Sequence, residues 1–300
     1  MGDTSFLTVC MNPTLQKTLC FSRLIPDRVN RTGRYRLDAS GKGINVTRVL
    51  TQLGKRCLHL TQLGGALRPL FLELCRADGL ELEWAASGSP IRFCYTLIDE
   101  AAGSVTELVE ESAPVSAGTE GLLLEAYRRR MPDYGTVIIS GTKAAGFSGG
   151  LVPRMVQSAK ERGKTVILDL RGEDLLGSLP YRPDIIKPNL DEFTATFAPD
   201  MPEAGIKERT AAICRELWER YEVKIILTRG KDSVWFAEAG VLEEYPVEAA
   251  PPVNTTGSGD AFTAGAAAAL SGGASLRDAV AEGVRCGGLN ARTLKAGVIQ

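Results

Sequence analysis

This chain of 300 residues has one histidine, His59, and that scarcity removes several chemistries at once. Ser-His-Asp hydrolysis, imidazole-held zinc and most proton shuttles need an accessible ring, whereas His59 sits in the apolar run RCLHLTQLGG and reads as a buried or strand-edge side chain. A surplus of charge is also missing. With 35 basic and 36 acidic residues and no Lys/Arg block, neither nucleic acid nor an anionic membrane surface is an expected partner. No apolar run approaches the ~18 residues of a membrane span, and MGDTSFLTVC lacks the basic-then-apolar pattern of a leader, so a cytoplasmic protein is expected. The cysteines at 10, 20, 57, 75, 94, 214 and 286 stand singly, without the paired spacing of a zinc site or a disulfide framework, and are expected in the core. No G-x-G-x-x-G follows the first strand-like run and no Walker A element occurs, which argues against a dinucleotide-dependent dehydrogenase and a P-loop enzyme.

What is present is alternation. Short apolar runs (FLTVCM, RCLHLTQLG, TVIISG, TVILDL, IIKP and KIILTRG) predict strands, several apolar on both faces, as in a parallel sheet. Between them lie amphipathic stretches such as NVTRVLTQL, RPLFLELCRADG, GLVPRMVQSAKERG and KERTAAICRELWERY, which predict helices. The expected fold class is therefore α/β, a doubly wound, mostly parallel sheet flanked by helices, with ligands beyond the carboxyl ends of the strands. Two regions break the pattern, at about residues 17–39 and 90–109, where NRTGRYRLD and IRFCYTLIDE predict antiparallel strands that meet as a small separate sheet. With no repeat or linker in view, residues 1–300 are expected to form one domain with that sheet inserted as a lid.

The run NTTGSGDAFTAGAAAALSG, residues 254–272, carries the most chemistry. Small residues allow a tight turn, and the Ala-rich helix that follows aims its free N–H groups back at it, which suits phosphate oxygens. Asp260 is out of place in such an anion cradle unless a proton must be removed there; as a general base it would face a phosphoryl group, and as a helix cap it would need no ligand. Asn189 and Glu192, three apart after IIKP, offer oxygens on one face for a hydrated Mg²⁺, or simply start a helix. Thr228 and Gly230 follow a buried strand and offer a hydroxyl and a bare backbone to nucleotide phosphates or ribose. The small residues of AEGVRCGGLNA, with Asn290 at their end, would open a flat slot for adenine or pack two helices closely.

TTGSGDAFTAG resembles the C-terminal signature of ribokinase-like sugar kinases of the PfkB group, and SGKGINVTRVLTQLG, residues 40–54, resembles their N-terminal signature. IKPNLDEF (186–193) is similar to their Asn-x-x-Glu element and ILTRGKDS (226–233) to their nucleotide-binding turn; VCMNPTLQKTLCF and GGLNA extend the likeness over nearly the whole chain, toward bacterial 1-phosphofructokinases and tagatose-6-phosphate kinases. The resemblance implies a ribokinase-like fold with a β-sheet lid, a homodimer formed through that lid, and transfer of phosphate from ATP, with Mg²⁺, to a ketohexose monophosphate of the fructose-1-phosphate or tagatose-6-phosphate type. It implies Asp260 as base with the backbone of Gly257, Ser258 and Gly259 around the moving phosphoryl. Gln16, Lys42, Gly43, Asn45, Arg92 and Thr142 are implied on the phosphosugar, Lys187, Thr228, Gly230 and Asn290 on the nucleotide, and Asn189 and Glu192 on the metal.

Departures from the group's pattern cluster on the acceptor side. Gln16 stands where these kinases generally carry Asp, Ser40 replaces a usual Gly, and TKAAG replaces a Pro-containing loop and adds Lys143 beside the expected phosphate pocket. A neutral amide still donates and accepts, but gives up a charge-assisted bond worth about 1.5–3 kcal/mol against about 1 for a neutral one. A kinase of another sugar or phosphosugar, and a sugar-phosphate sensor without turnover, are the competing readings.

Overall fold

A computed structural model describes residues 4–199, 204–248 and 251–300, and in it the apolar runs form strands and the amphipathic runs helices. The strands are β1 Phe6–Cys10, β2 Thr14–Phe21, β3 Tyr35–Ser40, β4 Cys57–Gly64, β5 Glu81–Ser87, β6 Arg92–Asp99, β7 Ser104–Val109, β8 Thr136–Ser140, β9 Thr165–Asp169, β10 Ile185–Ile186, β11 Lys224–Leu227, β12 Val234–Glu238 and β13 Val241–Tyr245. The helices are α1 Lys42–Gln52, α2 Arg68–Ala77, α3 Thr119–Arg130, α4 Leu151–Lys160, α5 Gly172–Leu176, α6 Leu190–Phe197, α7 Ile206–Tyr221, α8 Ser258–Ser271 and α9 Leu276–Asn290.

Nine strands form the main sheet in the order β13-β12-β11-β10-β9-β8-β1-β4-β5. All the strands expected from sequence pair in parallel within it. Every residue of β1, β4 and β8 is buried, because helices cover both faces and no polar alternation is needed. Three further strands complete it, β5 at one edge and β12 followed by β13 at the other. Edge strand β5 is a polar segment, ELEWAAS, with no apolar run to reveal it. Antiparallel β12 and β13 form a hairpin whose loop residues Ala239 (φ 51°) and Gly240 (φ 74°) are both left-handed, as the right-handed twist of a tight hairpin requires.

The second sheet has the order β3-β2-β6-β7 and contains both of the segments that broke the alternation. Its outer pairs are antiparallel, but the central pair β2–β6 is parallel, contrary to the sequence reading. Direction explains this: β2 continues from β1 and β6 from β5, two strands that run the same way in the main sheet, so their extensions leave it side by side.

One apolar cluster lies on each face of the main sheet and a third joins α2 to the base of the small sheet. All seven cysteines are buried and unbridged. His59 is 0 % exposed, with Nδ1 at 2.8 Å from the Thr8 hydroxyl, and burial pulls its pKa down to about 3, so the ring is neutral. Among the described residues no helix is long and apolar enough to cross a membrane.

Candidate active site

Helix α8 begins where its sequence forces a turn. Gly257 precedes it at φ 82°, and a Cβ there would lie 2.8 Å from the Cβ of Ala296, so both conformation and space demand glycine. Asp260 then falls in the first helical turn, not at the cap, and its side chain caps nothing. It is 7 % exposed and accepts a hydrogen bond from Asn45 Nδ2 at 2.8 Å. Burial pushes its carboxyl up from 3.8 to about 6, helped by nearby Asp169 and opposed by Lys42, Asn45 and Lys187.

In front of this turn is a cavity of about 500 Å³ lying between the small sheet and the carboxyl ends of β9, β10 and β11. Gln16, Lys42, Asn45, Lys187, Asn189, Glu192, Thr228, Gly257, Gly259 and Asp260 all line it, drawn together from positions up to 244 residues apart in the chain as numbered. The Lys42 ammonium, on the first residue of α1, lies 3.3 Å from Asp169 Oδ1 and 3.3 Å from Glu192 Oε1, and Asp169 above all holds its pKa well above the ordinary lysine value. Lys187 stands 3.4 Å from the other oxygen of Asp169. Burial alone would raise the Asp169 pKa, yet Lys187 and Lys42 hold it below the usual carboxylate range.

Asn189 and Glu192 form a reciprocal capping box: Asn189 Oδ1 accepts from the Glu192 N–H (2.7 Å) and Glu192 Oε2 from the Asn189 N–H (3.0 Å). The helix start and the oxygen-lined rim are thus the same structure. Thr228 is bridged to Asn189 across neighbouring backbones, which fixes the end of β11 beside this rim.

Several expected site residues stand elsewhere. Gly43 faces inward, where a Cβ would come within 2.7 Å of Cys10 Cβ and 3.1 Å of His59 Cε1; it lets α1 pack on β1. The Ser258 N–H points back to the Thr255 carbonyl at 3.1 Å, and Ser258 is off the cavity while its neighbours Gly257 and Gly259 line it. Arg92 donates to the Glu110 carbonyl at 2.8 Å, has its Nε buried without a partner, and does not line the cavity. Thr142 is exposed and accepts from Asn12 Nδ2 at 3.3 Å, also off the cavity. Lys143, added by the altered loop, is held by Asp174. Gly230 is an exposed turn residue at φ 64°. Asn290 opens onto no slot: it is 0 % exposed, and its amide donates to the Thr256 carbonyl (3.0 Å) and the Ser258 hydroxyl (3.1 Å) and accepts from the Gly297 N–H. The small residues around it serve packing, since a Cβ on Gly283 would strike the Phe262 ring.

Other residues enter the site without a sequence expectation. Asp169 is one; its signal was a lone carboxylate closing the apolar strand TVILD. On the small sheet, Gln16 Nε2 donates to Thr96 Oγ1 (2.8 Å), which lies 3.4 Å from Thr256 Oγ1, and Thr256 donates to Glu107 Oε1 (2.8 Å). This file of donors ends on a carboxylate and joins the small sheet to the loop before α8.

The pfkB family carbohydrate kinase profile matches residues 11–298. Among solved structures, the tetrameric inhibited form of phosphofructokinase-2 from Escherichia coli is similar at 19% identity, with a TM-score of 0.84 over 97% of this chain and 94% of that one. A possible 1-phosphofructokinase from Thermotoga maritima is similar at 21% identity, with a TM-score of 0.86 over 97% of this chain and 93% of that one. At such identities the likeness is one of fold, the mostly parallel sheet flanked by helices with its small second sheet.

Proposed function

The chain belongs to the pfkB family of carbohydrate kinases, enzymes that transfer phosphate to an alcohol group, and on that premise we propose that it phosphorylates a ketohexose monophosphate with ATP to give the bisphosphate. The acceptor is of the fructose-1-phosphate or tagatose-6-phosphate type. The observation that carries the reading is Asp260, an enclosed carboxylate whose pKa of about 6 leaves it ionised at neutral pH yet basic enough to accept a proton, set at the positive end of α8. Asp260 takes the proton of the attacking hydroxyl, whose oxygen bonds to phosphorus as the bond to the departing ADP oxygen breaks. The N–H groups of Gly259 and Asp260, in the first turn of α8, have no intrahelical acceptors and receive the charge that builds on the phosphoryl oxygens. Lys42 and Lys187, both on the cavity, neutralise phosphate charge, and Thr228 contacts the nucleotide at the end of β11.

Asn189 and Glu192, whose oxygens reach the cavity rim while also closing the capping box and meeting Lys42, would hold a Mg²⁺ that keeps most of its waters. When bound there, the ion offsets phosphate charge. The small sheet acts as the lid of a single domain and pairs two subunits; its outer face carries the exposed Tyr35 and Leu108 and the stacked pair Phe93–Tyr95.

A second reading, an acceptor without phosphate, is favoured by one specific observation: Arg92 and Thr142 stand off the cavity while Gln16 and the Glu107 carboxylate line it. A coupled ADP-release assay over fructose 1-phosphate, fructose 6-phosphate, tagatose 6-phosphate and their free sugars separates the two. The proposal expects a phosphosugar to exceed its free sugar by about a hundredfold in kcat/KM, the worth of one strong ionic hydrogen bond. Equal rates on free sugars would establish the second reading, and heat stabilisation by a phosphosugar without ADP release would mark a sensor. Asp260→Asn is expected to lower kcat by about 10²–10⁴ with the KM for ATP little changed.

A further inference from the structure

We infer that Arg48 is a positioning residue for the proton acceptor, acting through the orientation of the Asn45 amide. The inference rests on Asp260 as the base. Arg48 lies in the second turn of α1, is 3 % exposed, and touches neither the cavity nor Asp260. Its guanidinium holds four acceptors: Asp78 Oδ2 at 2.9 Å, the Ala296 carbonyl at 2.8 Å, the Ala39 carbonyl at 2.5 Å and Asn45 Oδ1 at 2.9 Å.

The last of these bonds has a logical consequence. A guanidinium only donates, so the group of Asn45 that faces it must be the carbonyl oxygen. The Ser40 hydroxyl donates to the same oxygen at 3.2 Å. With the oxygen claimed twice on one side, the amide nitrogen has to face the other, where Asp260 Oδ2 receives it at 2.8 Å. Turned over, the amide would set its N–H groups against a cation and its oxygen against a carboxylate. Its backbone cannot drift either, because a Cβ on Gly297 would come within 2.9 Å of Asn45 Cα, so that residue's backbone packs directly on α1.

Holding Oδ2 leaves Oδ1 as the oxygen of Asp260 that meets the substrate hydroxyl. A donated N–H also favours the ionised carboxylate, against burial and Asp169, in the same sense as Lys42 and Lys187. Arg48 itself is fixed by the pair Asp78–Lys295, with Lys295 also 3.5 Å from Asp38 on lid strand β3. Gly at 297 and Ser at 40 therefore belong to the same device as the arginine.

The test is the pH dependence of kcat/KM for the best acceptor in Arg48→Lys, with Ser40→Ala as the milder variant and Asp260→Asn alongside. A lysine keeps the charge near Asp78 but cannot reproduce the planar fork. The acid limb is expected to move up by about one pH unit in Arg48→Lys, the size of a hydrogen bond to a charged group, and by less in the same direction in Ser40→Ala. The KM for ATP stays within about twofold, since no nucleotide contact is touched. An unmoved acid limb in both variants, with only a lower melting temperature or lower kcat, overturns the inference and leaves the base in place. If Asp260→Asn keeps full turnover, the base reading itself fails and the inference falls with it. Should Arg48→Lys not fold, the Ser40→Ala profile decides alone.

Discussion

Asp260 is a residue whose proposed role opposes stability. In the unfolded chain its carboxyl ionises near 3.8, while in the fold burial and the neighbouring Asp169 move it to about 6. The charged form is thus disfavoured by folding: the penalty is absent well below pH 3.8, where both states are protonated, grows as pH rises from there toward about 6, and is complete above that, on the order of 3 kcal/mol. Asp260→Asn is accordingly expected to raise the melting temperature at pH 8 and to approach the wild type near pH 3, as a thermal scan over pH would record. Asp169 has the opposite sign. Its pKa is held below the ordinary range, so its stabilising effect is present at neutral pH and is lost only as pH falls through that lowered value. Of the two, only Asp260 was legible in the sequence, because a run of small residues announced the turn beneath it. Asp169 and Arg48 were single charges in segments that read as strand and amphipathic helix, and their meaning comes from partners such as Lys42, 127 positions away from Asp169. Arg92 and Thr142 had only a resemblance behind them, and their side chains make local bonds outside the cavity.

Elements were legible where a period ran long enough. β1, β4, β8, β9, β10 and β11, with α1, α2, α4 and α7, all announced themselves by buried runs or amphipathic spacing. The edge strands β5 and β13 did not, because edge strands alternate with water and carry charges such as Glu81, Glu243 and Glu244. The parallel pairing of β2 with β6 was hidden for another reason: it depends on where two distant strands leave the main sheet. The small sheet then meets the body through Thr256, held by Thr96 and Glu107. Replacing Glu107 by Gln keeps an acceptor for the Thr256 hydroxyl but removes its charge, a difference of about 0.5–1.5 kcal/mol. In steady-state kinetics this is expected to raise the KM for the sugar about three- to tenfold while leaving the KM for ATP unchanged.

For the whole molecule, the small sheet has two faces with different surroundings. Gln16, Thr96 and Glu107 point toward the cavity side, and the alternate residues Leu37, Phe93 and Tyr95 point away, running out to Tyr35 and Leu108, 64% and 51% exposed. The proposed pairing of subunits through this face predicts that Leu108→Lys, which places a charge in its middle, shifts the sedimentation coefficient from dimer to monomer at micromolar protein. An unchanged boundary would place the subunit contact elsewhere. Sequence periodicity could not have ranked these faces, since both are half apolar and only the position of the cavity distinguishes them. The segment Lys295–Gly297, folded back against α1, sets one more condition on the molecule. A ribosome delivers residues in order, and the amide facing Asp260 is locked only when Ala296 and Gly297 have left the exit tunnel and found residues 39–48. The strands of the main sheet can pair before that moment, but the centre cannot be complete. The orientation of the amide beside Asp260 thus depends on a contact between residues about 250 positions apart, which no local segment can supply by itself.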